Sequence, residues 1–147
     1  MGDPAVPAAQ ARHRIANLLH GYTEIADRKD VAAGVRLLGN ARVRFPSGGF
    51  DEPTGAAAFF SALWGSPEPH RHDVSNLVVD AGEAPGSWIA RAHYTRWVFT
   101  PDPVLHTLGE YELVVAEEDW RVRRLTVTRT WTRPADAQAP FDEKEQE

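Results

Sequence analysis

The chain has 147 residues, 42% of them apolar, and 16 Lys and Arg against 21 Asp and Glu give a net charge of −5 with the histidines neutral. That length and apolar fraction suit one domain with a substantial core, and five Trp, three Tyr and six Phe exclude a wholly disordered chain. The absence of cysteine removes disulfides, thiolate metal sites and cysteine nucleophiles together, and leaves the redox compartment unreadable.

The charge is unevenly placed. Residues 133–147 hold two basic and five acidic side chains, so −3 of the −5 sits there and residues 1–132 carry −2. No basic face of the kind a nucleic-acid binder needs is present, and no run approaches 18 apolar residues, so neither nucleic acid nor a membrane is an expected partner. The opening MGDPAVPAAQ lacks the basic start and apolar centre of a signal peptide, which makes the cytoplasm the expected location. Residues 1–9 and 133–147 read as disordered tails around one domain at 10–132.

In chain order, the first half reads helical. Ile15, Leu18, Leu19, Tyr22, Ile25 and Ala26 recur at three- and four-residue spacing and predict a helix over 10–27. Asp30 can cap a second helix carrying Val31, Val35 and Leu38, which Gly39-Asn40 ends. A short strand at 41–45 is stopped by PSGG, and a third helix covers 54–64. The second half reads as strands at 71–80, 88–100, 105–116 and 120–132, separated by the turn segments AGEAPG, PDP and EEDW. The last strand breaks its alternation at Arg123-Arg124, which predicts a bulge or bend. Three helices followed by long antiparallel strands make an α+β plan.

Four segments in this order carry a family resemblance. IANLLHGYTEIADRKDVAAGVRLL has a Tyr five residues before an Asp; FDEPTGAAAFFSAL starts a helix with Gly. RHDVSNLVVD sets His and Asn four apart; GEYELVVAEEDWRVRRLTV leads from Gly-x-Tyr through a turn to Trp-Arg-Val. Over roughly 10–132 the chain resembles the NTF2-like fold, and within it the SnoaL-like group of polyketide cyclases and dehydratases. Scytalone dehydratase, bile-acid dehydratase, ketosteroid isomerase and the small subunits of ring-hydroxylating dioxygenases share that architecture. The resemblance implies a cone, in which a strongly curved antiparallel sheet wraps three N-terminal helices around an apolar pocket with polar groups at its depth.

Candidate chemistry then falls to Tyr, Asp and His. Tyr22 lies on the apolar face of helix one, where its phenol would point inward to a carbonyl oxygen or a water. Asp27 ends that helix, where the dipole disfavours an acid, and this local misfit suggests a general base or acid. The other reading is a surface acid of the DRKD turn paired with Arg28 or Lys29. His72 sits on the first long strand, and the resemblance implies that it is the acid–base group, with Asn76 on the same face to orient a substrate oxygen; the other reading is a half-exposed His near the strand's start. His70 shares that face, but a His-x-His pair with no third ligand at motif spacing implies no metal. His13 and His20 read as solvated, and His106 receives no role.

The strand at 88–100 has two faces. The resemblance favours His93, Thr95 and Trp97 as the pocket side, with Thr95 standing where some dehydratases have an Asp partner for the His. The missing acid leaves the dyad to be rebuilt with Asp27 or His93, and the opposite choice of face would turn Tyr94 inward. Trp64, Trp97 and Tyr111 are candidate pocket walls, and the row Arg121, Arg123, Arg124 and Arg129 reads as facing solvent or a dimer partner, with a substrate-carboxylate role for one of them left unassigned. The expected function is a cofactor-independent lyase or isomerase, a dehydratase or cyclase acting on a hydrophobic carbonyl compound such as a polyketide or steroid-like ring. The alternatives are a non-catalytic ligand-binding module and a structural protein like a dioxygenase small subunit. A homodimer through the open face of the sheet is expected.

Overall fold

The computed structural model describes residues 6–135. Within it stand three helices, α1 (Ala8–Arg28), α2 (Val31–Leu38) and α3 (Ala56–Leu63), the last entered through a 3-10 turn at Pro53–Gly55. Six strands follow the same chain: β1 (Arg42–Phe45), β2 (Gly48–Phe50), β3 (His70–Ala81), β4 (Ser87–Phe99), β5 (Pro103–Ala116) and β6 (Arg121–Thr132). They form one open sheet in the order β2-β1-β6-β5-β4-β3. Helix α1 begins two residues before the predicted start, and β6 ends at Thr132 as the alternation implies. Residues 1–5 and 136–147 of the two expected tails lie outside the described residues.

The amphipathic spacing does its expected work. Ala11, Ile15, Leu19, Tyr22 and Ala26 are the buried side of α1, and that side packs against β3. Asp30 caps α2, its carboxylate accepting from the Ala33 N–H at 3.0 Å. Phe60, Leu38, Val43, Leu125 and Val115 close a single core between helices and sheet. Lys29 takes a left-handed turn after α1, and its ammonium donates to the Ser66 and Glu68 carbonyls. This strap ties the end of α1 to the loop entering β3, so Asp27 and the start of β3 are held side by side.

Two features depart from the expected antiparallel sheet. β1 pairs parallel to β6, Val43 opposite Leu125, so the sheet is mixed. The PSGG segment does not only stop β1; it turns the chain into β2, with Phe45 opposite Gly48. A side chain at Gly49 would put its Cβ 1.9 Å from the Val43 carbonyl oxygen, so glycine is what allows the close return. Read as a breaker, the Gly-Gly pair conceals a strand.

Bulges decide which residues face inward. In β3 the pairing with β4 slips between Ser75 and Val78, and Asn76 adopts φ +56°, a left-handed conformation that Asn tolerates. The slip resets the alternation, so Leu77 and Val79 join Val74 against the core while Asn76 and Val78 are exposed. In β6 the register slips past Arg123, at the step where the sequence pattern is irregular. β4 buries Ala90, Ala92 and Tyr94 and exposes Arg91 and His93, the reverse of the face favoured from the resemblance.

Candidate active site

The helix end and the first long strand meet at one acid–base pair. Asp27 Oδ1 accepts from the His72 backbone N–H at 2.8 Å and lies 2.7 Å from His72 Nδ1. A carboxylate only accepts, so Nδ1 carries the imidazole proton and Nε2 is left as the basic nitrogen. Asp27 is therefore the orienting partner of His72. Arg28 pairs with Glu24 and Lys29 with the loop carbonyls, so the surface pairing considered for Asp27 is not formed.

His72 lines a cavity of about 260 Å³ between the helices and the inner face of the sheet. Tyr22, Trp64 and Tyr111 line it too, as does Tyr94. Tyr94 stacks on Tyr111 with centroids 4.5 Å apart, and Tyr22 meets Tyr111 edge-on at 5.9 Å. Gly109 makes room for that stack, since a Cβ there would lie 2.4 Å from the Tyr94 ring. Among the described residues none of the three phenol hydroxyls has a hydrogen-bond partner, which leaves them as donors for a ligand or water. Burial raises the pKa of all three phenols; for Tyr22 and Tyr111 the neighbouring Tyr and Asp27 charges add to it. They are donors, not bases, near neutral pH.

A second tier supports the pair. His70 Nε2 donates to the Ala26 carbonyl at 2.6 Å, which fixes the tautomer and leaves Nδ1 to accept from Arg96 Nε at 2.9 Å. Burial lowers the His70 pKa to about 4, against the opposing pull of the Ala26 hydrogen bond, so the ring stays neutral. Arg96 Nη1 lies 3.0 Å from His106 Nδ1, which also meets the Thr107 hydroxyl at 2.7 Å. Burial lowers the His106 pKa as well, with the Arg96 charge next in weight. His70, Arg96, His106 and Arg129 all line the cavity, although sequence reasoning gave His106 no role and assigned none to Arg129 in particular.

The expected site residues thus divide. Tyr22, Asp27, His72, Trp64 and Tyr111 come together, with Asp27 behind His72. Asn76 and His93 do not join them; they share a separate pocket of about 240 Å³ on the opposite face, where His93 stands 3.8 Å from Glu110. Thr95 and Trp97 also lie off the cavity, since β4 turns Tyr94 and Arg96 inward. The small buried residues Ala90 and Ala92, alternating with polar Arg91 and His93, are the signal that marks the inner face.

Asp27, His70 and His72 place one ligand atom each within 4.8 Å of one another, the closest approach to a metal triad among the described residues. The third ligand that the sequence lacks at motif spacing is thereby supplied across the fold by Asp27. Both nitrogens of His70 are already engaged, however, and Asp27 Oδ1 already accepts two hydrogen bonds. A cation would have to displace Arg96 or Ala26, so the donor set fits a proton-handling pair better than a metal.

The profile of the SnoaL-like domain matches residues 7–126. The chain belongs to that family. No curated protein matches it. Among solved structures, this SnoaL-like chain is similar to an NTF2-like superfamily protein from Salmonella enterica, with 12% identity over 90% of this chain and 100% of that one and a TM-score of 0.70. It is also similar to a candidate scytalone dehydratase from Novosphingobium aromaticivorans, at 16% identity over 82% and 85% of the two chains and a TM-score of 0.66. The beta subunit of a candidate aromatic-ring-hydroxylating dioxygenase from the same organism matches at 17% identity over 87% and 94%, with a TM-score of 0.69. These neighbours establish the NTF2-like α+β cone.

Proposed function

We propose that this SnoaL-like domain is a cofactor-independent lyase or isomerase that moves a proton alpha to a carbonyl. The observation that carries the reading is the Asp27–His72 pair, whose basic Nε2 belongs to a residue lining a cavity that also holds three unpartnered phenols. His72 removes the alpha proton, and a Tyr22, Tyr94 or Tyr111 hydroxyl donates to the enolate oxygen as charge builds there. In an isomerisation His72 returns the proton to another carbon. In a dehydration it gives the proton to the departing hydroxyl, which leaves as water, so the imidazole ends neutral as it began.

The likeness to the candidate scytalone dehydratase agrees with this chemistry. A cavity of about 260 Å³ lies just below the usual ~300–1,000 Å³ of ligand sites. It suits a molecule of one or two rings, and a steroid-like or long polyketide body would have to extend through the mouth.

The test is deuterium uptake from D₂O into small cyclic ketones, followed by NMR with the full chain. His72→Ala should slow exchange by about 10²–10⁴-fold, the usual contribution of a positioned acid–base group. Asp27→Asn should slow it by a smaller factor while ligand affinity is retained. Exchange by the native chain no faster than by His72→Ala rejects the mechanism. The second reading is a ligand-binding or structural module, as in the dioxygenase beta subunit. It is favoured by β4, which brings Tyr94 and Arg96 to the cavity and no second acid–base residue. Ligand binding with no exchange in any panel member would select it.

A further inference from the structure

Arg96 is the residue that the acid–base chemistry leaves unused. It stands directly across from His72 in the β3–β4 register and lines the same cavity. We propose that the ligand carries a carboxylate, and that Arg96, assisted by Arg129, recognises it. This rests on the reading of the cavity as the ligand site and names the class of molecule it takes.

The argument is one of missing countercharge. Several exposed arginines of this fold find acids, such as Arg44 with Asp51, Arg91 with Asp80, Arg123 with Asp119 and Arg124 with Glu112, while others, such as Arg12 and Arg121, donate to backbone carbonyls and stay hydrated. Half-buried Arg96 has no carboxylate within 4.0 Å among the described residues. Its two hydrogen-bond partners are the Nδ1 atoms of His70 and His106, both acceptors and both uncharged in that role. Asp27 is committed to His72, and Glu68, whose field reaches Arg96, is an exposed residue of the loop before β3. Arg129, an exposed residue of β6, adds a second guanidinium to the cavity lining from its solvent side, so the desolvation cost falls on Arg96. A desolvated cation without a partner is costly, and an anionic ligand would relieve that cost.

The same contacts that leave Arg96 unpaired also aim it. His70 holds Nε and His106 holds Nη1, so the planar fork is fixed before a ligand arrives, and a planar carboxylate matches such a fork. The Tyr94–Tyr111 stack offers a flat apolar wall beside it. The His70 ring that holds Arg96 Nε has its centroid 4.9 Å from that of His72. A carboxylate on Arg96 therefore places carbons one or two bonds away near His72, which describes a small keto acid or an aryl- or alkenyl-carboxylate.

Cinnamate and cinnamamide, equal in shape and different in charge, are the probes, titrated into the full chain by calorimetry. Cinnamate should bind at least tenfold more tightly, and inorganic phosphate should fail to displace it. Arg96→Gln should bring the affinity ratio close to one while cinnamamide affinity stays, which also shows that the cavity is intact. Arg129→Gln, which removes no hydrogen bond within the protein, should lower the ratio severalfold and serves as the companion variant. His72→Ala should keep the ratio. A native ratio of one, a ratio that survives both Arg variants, equal competition by phosphate, or no binding of either probe overturns the inference. Proton exchange with a native ratio of one rejects this assignment alone, whereas a tenfold ratio without exchange supports it and rejects only the acid–base reading.

Discussion

Single residues set the chemistry through which atom carries a proton. His70 is neutral because its ring is buried, and its pKa of about 4 lies below the ordinary 6.5. In the unfolded chain the ring takes up a proton as pH falls through 6.5, and in the folded chain only near 4. Folding stability is therefore full above about pH 6.5 and drains away between there and about pH 4, with His106 shifted in the same direction. Thermal midpoints measured across that window should fall on acidification, and His70→Gln should flatten the slope. A midpoint that rises on acidification would contradict the assignment. Gly109 makes a different kind of single-residue prediction. A Cβ there meets the Tyr94 ring and the Thr128 carbonyl oxygen, each at 2.4 Å. Gly109→Ala should cost about 2–3 kcal/mol by denaturant melting, in the range of overpacking, and should weaken ligand binding by displacing Tyr94.

At the scale of elements, the bulge of β3 separates what could be read in the sequence from what could not. Helix periodicity, the Asp30 cap and the long strands are local patterns, and the residues that express them, from Ile15 to Trp131, stand in the elements they predict. Tyr22 was legible for the same reason. Asn76 was not, because alternation counts in twos and one left-handed residue restarts the count. The β4 face was misjudged for a related reason, since the resemblance pointed to His93 while the alternation of Ala90 and Ala92 with Arg91 pointed the other way. Asp27 stood in the sequence as one of two possible partners for His72, and the choice over His93 was not legible because Asp27 comes from α1, 45 residues away from His72. The bulge itself is testable. Asn76→Val should destabilise the domain by about 1–2 kcal/mol, because a β-branched residue resists φ +56°, and Asn76→Gly should be close to neutral. Equal melting of the two variants would show that the conformation carries no strain.

For the whole molecule, the sheet has an inner face that holds the cavity and an outer face that the described residues leave partly uncovered. Leu108 pairs with Trp131 and both are 38–39% exposed, as is Val78. The homodimer expected from the sequence would bury this face, and light scattering is the measurement. A dimer that Leu108→Asp converts to monomer places the contact there, and a native monomer refutes the expectation. The described helices include none long and apolar enough to cross a membrane.

The parallel pairing of β1 with β6 has a consequence for how such a chain comes to be. Arg42 to Arg44 find their partners at Arg124 to Thr126, about eighty residues later. During synthesis the β1–β2 hairpin is made early and must wait for the last strand of the sheet. The same strand delivers Arg129 to the cavity. The sheet and the wall of the cavity are therefore completed in one late event, and a ribosome stalled before residue 121 would hold helices and strands but no finished cavity.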